Sequence, residues 1–399
     1  MSAPAAQAPP TSRLGRFLAL DLLDNRYPQL HGLRVFAIIT VVQFHVTWIF
    51  AGENHIPIDT SFMASSLTVF FGMDLFFFLS GFLIGSILLR SIAVAGSQQL
   101  RRFYLRRIFR TFPSYYIVLT FLALTTALTP MQAKHLWYEY VYATNFVSLH
   151  RKDIVMFWGW SLALEEQFYL TVPILFFALQ RIKGDRARIL LLIAVALAAL
   201  ATRLYIYFRW RPWSDLGIYS ALYFRTHTRF DTLIAGILLA VVHQRYKERI
   251  GAWLKAPLHR ALVAVPSLAC LWILVQPWAF GEKNLQLVHV FAWGTVTSAM
   301  YFAWVLLLLH SDGWIPRALS LPIYRRIATL GYGVYLVHIP LCDHVLVPLA
   351  HALQGGGVPM VVVWPFSLTL LMVLSIGLAY VMHVLIEKPS LWIREKIAA

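Results

Sequence analysis

The stretch LRVFAIITVVQFHVTWIF, residues 33–50, is long and apolar enough for a helix to cross a bilayer. It carries Arg34 at one end and His45 well inside. An ionisable side chain within a bilayer is expensive, roughly 2.5–3.5 kcal/mol for Arg, Lys or Asp at a helix centre. A neutral histidine costs less, but it still needs a partner. The other apolar runs are expected to give this histidine its neighbours.

Such runs recur from end to end. The 399 residues are 59% hydrophobic and 13% charged, against roughly 25% charged in an average soluble domain. The runs do not alternate as barrel strands do, so the reading is an all-α polytopic membrane protein. The net charge of +16 does not indicate nucleic acid, because the basic residues sit at the ends of the apolar runs. The two cysteines, Cys270 and Cys342, lie inside apolar runs with no zinc or disulfide spacing, and no metal site is expected. Residues 1–27 read as a polar cytoplasmic tail, 28–394 as the membrane domain, and 395–399 as a cytoplasmic end.

About ten spans are expected: residues 33–50, 66–89, 109–129, 154–179, 188–207, 230–243, 261–276, 287–310, 327–350 and 358–386. Residues 90–110 read as a basic connection entering the third span. Arg and Lys concentrate in the connections after the second, fourth, sixth and eighth spans, while residues 51–65 and 354–357 hold none. The positive-inside rule then predicts both termini in the cytoplasm.

Depth along these helices places polar residues together. At 1.5 Å per residue His45 lies about 16 Å beyond Arg34. Asp74, Glu165 and His338 fall at a similar depth on the second, fourth and ninth spans. Ser161 and Glu165 are four apart and share a helix face. A lone intramembrane histidine more often bonds a neighbouring helix than acts in catalysis. Four ionisable groups at one level tip the reading toward a site.

Two further constellations stand out. RRFYLRRIFRTFPSYY, residues 101–116, packs Arg106, Arg107 and Arg110 ahead of Pro113. Arginine forks suit phosphate, although arginines at a membrane surface also meet anionic headgroups. Residues 205–231 interleave aromatics with arginines, a pattern equally suited to sugar rings and to an interfacial belt.

The chain resembles the integral-membrane acyltransferase family 3 from about Pro28 to Arg394. The resemblance is carried by LHGLRVFAIITVVQFH with Arg34 and His45, by FFGMDLFFFLSGFLIG with Asp74 and Ser80, and by FYLRRIFRTFPSYY. WSLALEEQFYL, RFDTLIAGILLA, GYGVYLVHIPL and EKPSLWIRE continue it in order. Ala163 stands where the family usually has serine.

This resemblance implies a membrane O-acyltransferase of the bacterial plasma (inner) membrane. It would move an acyl group, acetyl foremost, from cytoplasmic acyl-CoA to a hydroxyl of an extracytoplasmic glycan, glycolipid or glycosylated small molecule. His45, Glu165 and Asp74 become the expected catalytic residues, and Arg34, Arg106, Arg107 and Arg110 the expected CoA ligands. Ser161, Tyr169, Arg229, Asp231, Tyr335 and His338 are expected near the acceptor. His45 serves either as general base or as a covalent acyl carrier. The chain is expected to act as a stand-alone enzyme, since the hydrolase-like domain of some relatives does not follow it. The alternative is a proton- or solute-coupled transporter using the same His, Asp and Glu residues.

Overall fold

The computed structural model describes residues 18–398, apart from 21–22, 55, 57–61, 63–65, 67, 148–149, 211–214 and 277–285. Most of the expected tail, the 51–65 connection and part of the 205–231 stretch therefore lie outside the described residues.

Every regular element among the described residues is helical. The principal helices are α1 Gln29–Trp48, α2 Gly72–Thr125, α3 Pro130–Tyr140, α4 Trp160–Arg181, α5 Asp185–Arg209 and α6 Asp231–Trp253. They continue with α7 Pro257–Leu274, α8 Thr297–Leu309, α9 Pro322–Leu341, α10 Met360–Met382 and α11 Lys388–Ala398. Nine helical stretches among the described residues are long and apolar enough to cross a membrane. The expected sixth span lies in α6, which misses that standard because Arg245, Lys247 and Glu248 crowd its second half. Its first half is buried among the other helices.

Helical residues run unbroken through α2, including Pro113 and the basic residues read from the sequence as a connection. A straight helix of that length would measure about 81 Å, far beyond a hydrocarbon core of about 30 Å. Two contacts show that the chain reverses. Ser80 hydrogen-bonds the Tyr169 hydroxyl at 2.5 Å, and Arg107 stacks over the same ring at 4.5 Å. On a straight helix those residues would stand about 40 Å apart.

The first limb of α2 packs tightly on α6. Glycine makes this possible. A Cβ on Gly81 would lie 2.0 Å from the Leu233 carbonyl oxygen, and one on Gly236 2.2 Å from that of Phe78. Small residues that admit a neighbouring backbone are the usual adhesive of membrane helices, where apolar burial alone gives no preference over lipid. On the opposite side α1 packs against α9 and the first limb of α2.

Candidate active site

Three helices present stripes that climb in register. On α1 the stripe is Arg34, Ile38, Val41 and His45, at helical spacing. On α4 it is Tyr169, Glu165 and Ser161, and on α9 it is Tyr332, Tyr335 and His338. The first limb of α2 adds Ser80, Phe76 and Met73. Together they line two adjoining cavities with arginines at one end, and His45 and His338 continue the α1 and α9 stripes beyond the other.

At the arginine end is a cavity of about 440 Å³, within the range of small-molecule sites. Arg34 enters it from α1, and Arg90, Arg102, Arg106, Arg107 and Arg110 enter from α2. Arg26 and Arg394 join from opposite ends of the chain. The lining carboxylates are Asp24, Glu165 and Glu395, so positive charge predominates. Leu23, Asp24, Arg26 and Tyr27, assigned to the tail from sequence, are therefore walls of this cavity. Arg325 holds them there, donating from Nε and Nη2 to the Leu23 carbonyl at 2.9 and 2.6 Å.

Glu165 sits at the inner end of the cavity, beside Ser80, Tyr169, Arg34 and Arg107. One turn away, Ser161 Oγ meets the Tyr335 hydroxyl at 2.6 Å. Tyr335 donates onward to the Trp158 carbonyl at 2.7 Å. Glu166 points elsewhere, to the Thr111 hydroxyl at 2.9 Å.

Beyond Tyr335 the two histidines meet. His45 Nδ1 is 2.9 Å from His338 Nε2, and His338 Nδ1 is 2.7 Å from the Tyr335 carbonyl. A carbonyl only accepts, so His338 Nδ1 carries the proton and, in the neutral pair, its Nε2 accepts from His45 Nδ1–H. The tautomer of His45 is thereby fixed, and its Nε2 presents a lone pair. Phe157 packs edge-on against His45 and also contacts Trp48. Arg151 covers the Phe157 ring at 4.9 Å and forms an ion pair with Asp343.

Segment 155–157, which places Phe157, is anchored by the buried carboxylate of Glu139. It accepts from the backbone N–H groups of Val155 and Met156 at 2.8 and 2.7 Å. Burial raises the Glu139 pKa to about 7, against the opposing pull of these two bonds.

Other expected site residues lie apart from the histidines. Asp74 faces α6, because it is seven residues before Gly81 and shares the face that packs there. It pairs with Arg229 at 2.6 Å, both fully buried, and Arg229 stacks on Tyr223 at 4.4 Å. Asp231 receives Arg203 at 2.8 Å. Arg203 also bonds Thr295 and the carbonyls of Val290 and Thr228. These pairs tie α2, α5 and α6 to the segment before α8. In the 205–231 stretch Tyr205, Phe208 and Trp210 point outward, while Arg225 turns inward to the Asn145 carbonyl. Among the described residues no group of three or more His, Cys, Asp or Glu could hold a metal ion.

Sequence reading missed Tyr332 and the two end arginines. Tyr332 bonds the Thr111 carbonyl at 3.0 Å and borders both cavities. Its signal was its place three and six residues before Tyr335 and His338 on α9. Arg26 and Arg394 had no local signal beyond charge.

The fold and this buried polar line define a polytopic helical membrane protein with a cationic cavity and, further along the same helices, a buried histidine pair. Residues 27–384 match the family model Acyl_transf_3, described as an acyltransferase domain, and the chain belongs to that family. It is 27% identical over 341 residues to peptidoglycan O-acetyltransferase OatA of Listeria monocytogenes, covering 79% of this chain and 49% of that protein. It is 27% identical over 384 residues to "Putative peptidoglycan O-acetyltransferase YrhL" of Bacillus subtilis, covering 92% of this chain and 55% of that protein. The chain thus spans about half the length of the curated relatives it matches. No solved structure matches significantly.

Proposed function

We propose that the chain is an O-acyltransferase of the bacterial plasma membrane, taking an acetyl group from cytoplasmic acetyl-CoA to a glycan hydroxyl outside. The carrying observation is the alignment along shared helices of a cavity crowded with arginines, a smaller cavity adjoining it and a histidine pair beyond. The arginine end is assigned to the cytoplasm by the positive-inside rule. The arginines suit the phosphates of CoA, since guanidinium groups bind phosphate bidentately. The slender thiol-bearing arm of CoA extends past Glu165 and Tyr332, which both cavities share, toward the histidines. The acceptor enters at the opposite mouth, beside Trp48, Phe157 and the Arg151–Asp343 pair.

His45 is the proposed general base, and His338 positions it. The acceptor hydroxyl gives its proton to His45 Nε2 while its oxygen attacks the thioester carbonyl carbon. The carbon–sulfur bond then breaks, and the CoA thiolate takes the proton from the imidazolium. Glu165 and Arg34 stabilise the donor end. Asp74, Arg229 and Asp231 hold the scaffold rather than the substrate.

The test is transfer of labelled acetyl from acetyl-CoA to glycan acceptors by the protein in proteoliposomes. Acyl-CoA-dependent acetylation is expected. Solute flux without acyl-CoA, and no acetylation, would instead identify a transporter.

A further inference from the structure

A second, smaller cavity of about 30 Å³ lies between the arginine end and the histidine pair. It shares Phe76, Glu165 and Tyr332 with the large cavity, so the two adjoin. Its walls include Val41, Val42, Met73 and Phe77, and Ser161 and Tyr335 border it. Val41 and Val42 stand one helical turn before His45, on the same side of α1.

The size is informative. A water needs at least about 10–15 Å³ of such space, so this cavity takes roughly two or three water-sized groups. An acetyl group has a methyl, a carbonyl carbon and a carbonyl oxygen. A butyryl group adds two methylenes and does not fit.

The walls have little room to yield. Val42 is 1% exposed and Phe77 is fully buried. Phe77 is also fixed edge-to-face against Trp160, with centroids 5.9 Å apart. The chemistry matches as well, with an apolar lining for a methyl and, at its border, a Ser161 hydroxyl that can exchange its bond to Tyr335 for one to a carbonyl oxygen.

The geometry points to this cavity as the acyl pocket, which restricts the donor to a two-carbon acyl group through Val42, Met73 and Phe77. The inference rests on the donor reading above and adds the acyl length and the residues that set it.

The experiment compares kcat/KM for acetyl-CoA and butyryl-CoA, with CoA binding measured separately by calorimetry. One methylene is typically worth about 10–200-fold in an apolar pocket. The wild type is therefore expected to prefer acetyl-CoA by roughly 100-fold or more. Met73→Ala and Val42→Ala are expected to lower that ratio at least about tenfold. The ratio is insensitive to a general loss of active protein. Should both enlarged variants fail to fold, Val41→Phe, which fills the space, is expected to lose acetyl transfer while still binding CoA. A wild type that binds CoA and uses butyryl-CoA as well as acetyl-CoA overturns the pocket alone. So does an unchanged ratio in folded variants, or full acetyl transfer by Val41→Phe. A wild type that binds no CoA overturns the donor reading itself.

Discussion

His45→Ala removes the one ring nitrogen of the neutral histidine pair that its mutual contact leaves with a lone pair. Loss of a positioned general base costs about 10²–10⁴-fold. Acetyl transfer is expected to fall by that factor while the protein elutes and melts as the wild type does. Near-normal turnover counts against His45 as the base. His338→Ala tests a different role, since in the proposed mechanism His338 positions His45 through their contact. It frees the His45 ring to take either tautomer, so a smaller loss is expected, with an altered pH profile of kcat. An unaltered profile would mean that His338 only fills space. These two residues were legible because an ionisable group in an apolar span is rare and needs a partner. Asp74 shows the limit of that reasoning. Counting residues gave its depth but not its azimuth, and it pairs with Arg229 across the α2–α6 contact. Glu165 was placed on the Ser161 face correctly, yet one turn separates it from the Ser161–Tyr335 bond, and it faces the arginines.

The α2–α6 contact makes its own prediction at the level of helices. Gly81→Ala and Gly236→Ala push a methyl into backbone carbonyls at 2.0 and 2.2 Å. Such overpacking costs about 1–3 kcal/mol, read as a lower melting temperature in detergent. Gly377→Ala on α10 meets nothing within 4 Å and is expected to be neutral or slightly stabilising. If all three melt alike, the close approach does not matter to stability. Outside the membrane, the Glu139 anchor of α3 titrates. Folding raises its pKa from an ordinary 4.5 to about 7, so the folded protein binds its proton more tightly. Its stabilising contribution is complete below pH 4.5 and is lost as the pH rises through about 7. The wild-type melting temperature is expected to fall over that window relative to Glu139→Gln, and parallel curves would exclude the anchor as the titrating group. The spans themselves were legible, because hydropathy reports what a bilayer requires of a helix. The reversal within α2 was not, since it depends on Tyr169 receiving both Ser80 and Arg107.

At the scale of the whole molecule, the proposed function assigns donor and acceptor to opposite ends of the helix bundle. Arginines from α1, both limbs of α2 and both ends of the chain converge on one cavity, which no single stretch of sequence could reveal. The segment 101–110 announced itself by charge density, and Arg34 was expected only through the family resemblance. Arg107→Ala and Arg110→Ala are each expected to weaken CoA binding roughly 10–100-fold, from about 1.5–3 kcal/mol per charged hydrogen bond. The loss should shrink at high salt, where screening already weakens the wild type. Unchanged binding would reduce the cluster to a headgroup anchor. The proposed function also makes transfer vectorial. His45 lies about 16 Å along α1 from Arg34, and the Tyr335–Ser161 bond stands between the cavities and the histidines. On that proposal a bulky CoA reaches the site from the arginine end alone, and that end faces the cytoplasm. Inside-out membrane vesicles present that end to the bulk solution, and right-side-out vesicles hide it. Added acetyl-CoA is expected to be consumed by the inside-out vesicles only, and permeabilising the right-side-out ones should restore its use. Equal consumption by both intact preparations would place donor entry elsewhere.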